Sequence, residues 1–358
     1  MALPTSGATW TQMMKVANGD LGAANVSDQD SPHGERVLAL TLVALRSYSD
    51  SLKLKAATEL NKAIGTENHP DPDCASAALG ARGLAVGRNL VSYAVAGDIL
   101  NLRSNGYNPN GMGVAFENWM THMRSRKNCD SNGQAAQTHT VCDGIYGTTS
   151  NGNLMSFASC AAASGYLRDK AQIDAVWLQF QRYAGNRNVG TKFTPNSYSA
   201  KWKSGDTTAD NYVGINPVGA HCSGASSAYP ADGVVPNDQG RGGDCPTDPN
   251  TQPAYTAYPW EGLQGAYATA VILDHLGYRD AQGQRAWQLG SNALLRAVQY
   301  QQYLQDKFGG EWYDTRRAAW VKHLACKAYG YNCNTASVTH YNPYGGGRNM
   351  DWTQWTHQ

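Results

Sequence analysis

Residues Glu35–Gly65 read ERVLALTLVALRSYSDSLKLKAATELNKAIG, and the fold class turns on them. Their apolar residues recur at the spacing of a helix and do not alternate as in a strand. Ser49-Asp50-Ser51 interrupts the pattern, so the stretch predicts two consecutive helices. The same period appears on both sides. Upstream, Thr9–Asn18 predicts a short helix, followed by polar loop over Val26–Gly34. Downstream, the breaker-rich HPDPDC (His69–Cys74) is loop, Leu84–Arg103 is helix, and Gly111–Lys127 is helix with Phe116, Trp119 and Met120 on one side. Asn128–Ser150 is loop. Asn151–Leu167 is an apolar, small-residue helix, and Asp169–Tyr183 carries Ile173, Trp177 and Phe180 along one stripe. Glu261–Leu276, Ala281–Gln305 and Thr315–Tyr329 complete the helical set. No run alternates like a strand. Paired amphipathic helices joined by loops predict an all-α fold: one domain, residues 1–358, built as an α/α toroid of helical hairpins with long loops at a cleft.

Lys and Arg number 29 against 28 Asp and Glu, a net charge of +1. Bulk charge therefore excludes the broad electrostatic footprint of a nucleic-acid or membrane-surface binder. No apolar run reaches the roughly 20 residues of a membrane span. Aromatic usage is skewed, with 20 Tyr and 10 Trp against 5 Phe. Rings with polar ends suit a wet, aromatic-lined surface such as a sugar cleft, although protein interfaces share that trait. None of the eight cysteines forms a CxxC pair. Cys129/Cys142, Cys222/Cys245 and Cys326/Cys333 are close pairs in loop-like sequence, as local disulfides of an exported protein would be; Cys74 and Cys160 fall in or beside apolar helices and are expected as core thiols. The N-terminus MALPTSGATW has no basic or apolar leader segment, so secretion or periplasmic export implies a leader already removed. A monomer is expected.

Asn211–Gly265 is the longest irregular stretch and is rich in Gly, Pro, Asp and Asn. A loop this long in a compact domain is usually functional. It carries His221, Arg241, Tyr255, Tyr258, Trp260 and Glu261.

Five segments resemble an α/α-toroid lyase family, polysaccharide lyase family thirty-eight, over roughly the C-terminal two-thirds of the chain. They are INPVGA (Ile215–Ala220), DGVVPNDQGRGG (Asp232–Gly243), YPWEGLQGAYATAVIL (Tyr258–Leu273), RNMDWTQWTH (Arg348–His357) and the helix opening SNGNLMSFASCAAASGYLRD from Ser150. The resemblance implies cleavage of a β-1,4-linked uronic-acid polymer, glucuronan (cellouronate) or alginate, with no metal or other cofactor. Where the family has Asn-Trp-Gly-Thr, this chain has Asn151-Gly152-Asn153-Leu154, so either Asn151 or Asn153 is the candidate amide.

Such a reaction removes the C5 proton beside a carboxylate and expels the C4 oxygen. Hydrogen-bond donors must first neutralise the carboxylate, and Asn151, Asn153 and Arg241 can. One Tyr can take the proton as phenolate and return it to the leaving oxygen, with Arg or His nearby favouring that form. Tyr258 is the first candidate and Tyr255 the second, with His221 beside them. Trp119, Trp260 and Trp352 could stack on sugar rings, and Glu261 could contact substrate. Each has a structural alternative: Asn151 as a helix cap, His221 and Arg241 as loop residues, Tyr258 as a packing ring, the tryptophans as core, Glu261 as a helix-dipole partner. Two other classes remain open. A glycoside hydrolase would draw its two carboxylates from Asp232, Asp238, Asp244 and Glu261. A non-catalytic carbohydrate-binding protein would use the aromatic rings alone.

Overall fold

Helical periodicity becomes helix almost wherever it occurs. The computed structural model describes residues 3–67, 83–126, 140–203, 212–223, 226, 228–310, 312, 319–333, 352 and 356. Twelve α-helices lie among them: α1 (Ala8–Asn18), α2 (His33–Arg46), α3 (Asp50–Lys62), α4 (Gly83–Ile99), α5 (Met112–Ser125), α6 (Asn151–Tyr166), α7 (Lys170–Tyr183), α8 (Ser197–Trp202), α9 (Pro236–Gln239), α10 (Tyr258–His275), α11 (Leu289–Phe308) and α12 (Ala319–Tyr329). The described residues contain no β-strand, only isolated backbone bridges such as His221 with Pro230. The fold class is all-α. No helix is long and apolar enough to cross a membrane among the described residues.

The break read at Ser49 is a helix cap: the Ser49 hydroxyl accepts the Leu52 N–H and opens α3. Several boundaries differ from the sequence reading, and three of the differences have a local cause. Helix α8 forms inside the polar stretch because Asn196 and Ser199 make a reciprocal capping box. Helix α10 begins three residues early, at Tyr258, because Pro259 in its first turn needs no amide partner there. Helix α11 begins late. Gly290, Ser291 and Asn292 are left-handed (φ 59°, 56° and 58°), and a Cβ on Gly290 would sit 1.7 Å from the Ala184 carbonyl oxygen.

The described residues form two compact units. The first comprises residues 1–143, 155–170 and 338–358. In it α2 packs on α1, α3 and α4, and α3 on α5. Helix α2 is buried almost all round, from Val37 to Ala44. Its His33 shares hydrogen bonds with the Tyr93 hydroxyl (2.9 Å) and Glu59 (3.3 Å), and burial lowers its pKa. Trp119 is buried and donates to Glu67 (3.2 Å); Trp352 is buried and donates to the Glu35 carbonyl (3.0 Å). Cys160 is not a free thiol. It bonds Cys142 with Cα atoms 4.9 Å apart, which replaces the expected Cys129/Cys142 pairing. Cys74 and Cys129 lie outside the described residues.

The second unit comprises residues 144–154 and 171–337. Helix α9 packs between α8 and α10, and α10 also packs on α11 and α12. Its core joins Trp202, Tyr229, Tyr300, Leu304 and Trp312 around the Cys222–Cys245 disulfide. Trp202 donates to the Gly243 carbonyl (3.0 Å), tying the loop that follows α9 to α8. Gly233 is fixed by geometry: its φ is 78°, and a Cβ there would lie only 2.3 Å from the Arg296 carbonyl oxygen. Cys326–Cys333 closes the loop after α12.

Cys222–Cys245 encloses a chain separation of 23 residues. On loop-closure entropy its loss should destabilise the second unit by about 3 kcal/mol. The double variant Cys222→Ala/Cys245→Ala should lower the urea midpoint accordingly and change the fluorescence of Trp202 and Trp312. An unchanged midpoint would show that the aromatic cluster alone holds this loop.

Candidate functional site

The first residue of α6 is held by two acids that are distant in sequence. The Asn151 backbone N–H donates to Asp238 Oδ1 (2.9 Å), and its side-chain Nδ2 donates to Glu261 Oε2 (2.8 Å). Asp238 comes from α9 and Glu261 from the first turn of α10. The opening of a helix leaves backbone N–H groups unpaired, and Asp238 satisfies one from outside. Glu261 also benefits from its place at the positive end of α10. All three residues are buried and belong to the second unit. Gly262 lets the chains meet: a Cβ there would lie 2.3 Å from Asp238 Oδ2 and 3.1 Å from Leu154 Cδ1.

Asp238 is completely buried, and desolvation raises its pKa well above the ordinary carboxylate range. The Asn151 N–H and the Arg241 charge oppose that rise, while Glu261 adds to it. Its Oδ2 has no hydrogen-bond partner among the described residues. The same holds for both polar atoms of the Asn237 side chain, Gln239 Nε2 and the Tyr183 hydroxyl. Several such atoms gather around one short helix.

An exposed layer is built on the same two helices. Three residues after Asp238, the Arg241 guanidinium lies 4.5 Å from the Tyr258 ring centre and 5.5 Å from that of Tyr198. Tyr258 and Tyr198 are 37% and 42% exposed, so the cation and both rings are open to solvent. Gly240 allows this approach, because a Cβ there would meet the Tyr198 carbonyl oxygen at 2.1 Å. Tyr255, 48% exposed, packs edge-on against Trp312 at 5.3 Å.

The structure thus brings Asn151, Glu261, Arg241 and Tyr258 into one group and leaves other expected residues outside it. His221 is exposed on the bridge to Pro230 and makes no hydrogen bond, ion pair or ring contact with that group. Asn153 donates its amide to the Thr148 carbonyl (2.8 Å) and hydroxyl (3.2 Å), bracing the turn before α6. Glu261 is buried behind Asn151, away from solvent. Trp119, Trp260 and Trp352 present no stacking face; all three are core residues, and Trp260 donates to the Trp312 carbonyl (2.7 Å). RNMDWTQWTH lies outside the described residues apart from Trp352 and Thr356. Sequence reasoning missed Tyr198, hidden in a polar stretch, and the role of Asp238 as a buried anchor. The clue to Asp238 was the run Pro236-Asn237-Asp238-Gln239, four consecutive residues that form a turn of helix and are all buried.

Among the described residues no group of three or more His, Cys, Asp or Glu is arranged to hold a metal ion. Comparison with family models, with curated proteins and with solved structures found no match.

Asp238 gives the site a signature in pH. Its folded pKa lies above its unfolded value of about 3.9, so its folded form keeps a proton that the unfolded chain has released. Stability is then full below that value and falls as pH rises towards the folded pKa, with a slope of up to about 1.4 kcal/mol per pH unit. Asp238→Asn keeps the acceptor for Asn151 and removes the titration. Its urea midpoint should fall less steeply than that of the wild type above about pH 4. Parallel pH profiles would show that Asp238 ionises freely.

Proposed function

We propose that this protein is a polysaccharide lyase that cleaves a β-1,4-linked uronic-acid polymer by β-elimination. The observation that carries this reading is the Arg241 guanidinium over the exposed Tyr258 ring at the start of α10, anchored beneath by Asn151, Asp238 and Glu261. A uronate needs a cation for its carboxylate and a proton carrier at C5 and O4. Arg241 and Tyr258 supply these within one contact distance. In the proposed reaction Arg241 meets the carboxylate, and Asn151 adds the amide N–H that Glu261 does not use. Tyr258 takes the C5 proton as phenolate and returns it to the C4 oxygen as that bond breaks, so atoms and charge balance without a second acid. Tyr198 and Tyr255 offer rings to neighbouring sugars. Glucuronan is the preferred polymer and mannuronate-containing alginate the alternative. The α/α toroid and export from the cell belong to the same proposal; three disulfides among the described residues fit an oxidising compartment.

The hydrolase reading finds less support. Two catalytic carboxyls must face the bond, yet Asp238 and Glu261 are buried on Asn151. Asp232 is paired with Arg296 and accepts the Gly219 N–H, and Asp244 is paired with Lys201 (3.1 Å). The binding-protein reading is favoured by one feature, the cluster of exposed tyrosines, and is separated by turnover.

Elimination leaves a conjugated C4–C5 double bond that absorbs in the near ultraviolet. Glucuronan incubated with the protein should gain this absorbance, and Tyr258→Phe should lose about a hundredfold or more of the rate while retaining polymer binding. Cleavage without absorbance would make the protein a hydrolase. Binding without cleavage across a panel of uronate polymers would make it a carbohydrate-binding protein. Full activity in Tyr258→Phe would move the acid–base role to Tyr255 or His221.

A further inference from the structure

Helix α11 and the loop closed by Cys326–Cys333 border a shallow groove, broadly open to solvent and about 520 Å³ in volume, lined by Gln299, Gln302, Tyr303, Asp306, Lys307 and Tyr331. It shares no residue with the Arg241 group. Its volume lies in the range of roughly 300–1,000 Å³ typical of ligand pockets. Two partly exposed tyrosine rings face it together with two side-chain amides, one carboxylate and one ammonium group.

These groups are set in place before any ligand arrives. Lys307 Nζ donates to the Tyr303 hydroxyl (3.0 Å) and to the Pro249 carbonyl (2.7 Å), fixing the outer end of that ring. Tyr300 backs the same ring from the core, with centres 6.0 Å apart. Gln302 Nε2 donates to Asp306 Oδ1 (2.7 Å), and Asn332 Nδ2 donates to Gln302 Oε1 (3.4 Å). Tyr331 sits two residues before Cys333, so the disulfide holds its backbone to α12. Partial burial and the charge of Asp306 raise the Tyr331 pKa, which keeps its hydroxyl a donor.

We propose that this groove is a non-catalytic binding site for the pyranose rings of a polysaccharide chain. A pyranose presents C–H faces, which lie well on tyrosine rings, and pairs of hydroxyls, which fit planar amide and carboxylate groups. Asp306 and Lys307 balance in charge, so the groove carries no net charge that would select for or against a uronate, and sugar shape and hydroxyls carry the recognition. The inference is independent of the elimination chemistry at Arg241. If that chemistry also holds, the groove tethers the protein to the polymer it degrades and raises the local concentration of cleavable chain.

Affinity electrophoresis of the full chain tests this, with hydroxyethylcellulose in one gel and glucuronan in another. Migration should be retarded in at least one gel. Tyr331→Ala and Asp306→Ala should each weaken retardation about tenfold, whereas Tyr258→Phe should leave it unchanged in the hydroxyethylcellulose gel. Asp306 is exposed, so its variant reports on the groove even where Tyr331→Ala disturbs folding. Retardation in the uronate gel alone assigns the groove to uronate chains, and retardation in both assigns it to β-linked pyranose chains generally. The proposal is overturned by no retardation in either gel, or by retardation that both groove substitutions leave intact. Absorbance assays on the same variants keep a failure here apart from a failure of the lyase reading.

Discussion

The Asn151 amides hold the second unit's candidate site together. One N–H goes to α9 through Asp238 and one to α10 through Glu261, so a single residue fixes three helix ends. The exposed layer inherits its geometry from that arrangement. Arg241 follows Asp238 by one turn, and Tyr258 precedes Glu261 by one turn, so docking the two acids on Asn151 sets the cation against the ring. The contact tolerates no added bulk, as the space at Gly262 shows. A site carried on interlocked helix ends is better defined than one carried on a free loop, because each end is held by hydrogen bonds and by packing at once.

Periodicity and local chemistry were unequally legible in the sequence. Amphipathic spacing placed most of the long helices to within a few residues, since burial of one face dominates their energetics. It failed where local chemistry decides. Helix α8 depends on the Asn196–Ser199 capping box, and the late start of α11 depends on left-handed residues from Gly290 to Asn292. Disulfide partners were legible where both cysteines lay in loop-like sequence. Cys160, in an apolar helix, bonds Cys142 across a turn that spacing could not reveal. In the site, Asn151, Arg241 and Tyr258 were visible as polar residues at structural junctions. Their neighbours were not: Asp238 looked like one more loop acid, and Tyr198 like one more polar-stretch aromatic. The tryptophans misled for the opposite reason. Trp carries a polar N–H, which suggested a wet surface, but buried backbone carbonyls and Glu67 satisfy that N–H equally well.

The burial of Asp238 bears on the role proposed for Arg241. Were Asp238 ionised, its charge would oppose that of Arg241 at close range in a poorly solvated setting, and an incoming carboxylate would meet a half-neutralised cation. Complete burial disfavours that charge and raises the Asp238 pKa. The acid accepts the Asn151 N–H, and its contribution is positional. Arg241 lies at the surface, its guanidinium stacked on the tyrosine faces that orient it. In the proposed reaction this buried acid would serve as a hydrogen-bonded strut beneath the guanidinium that meets the substrate carboxylate.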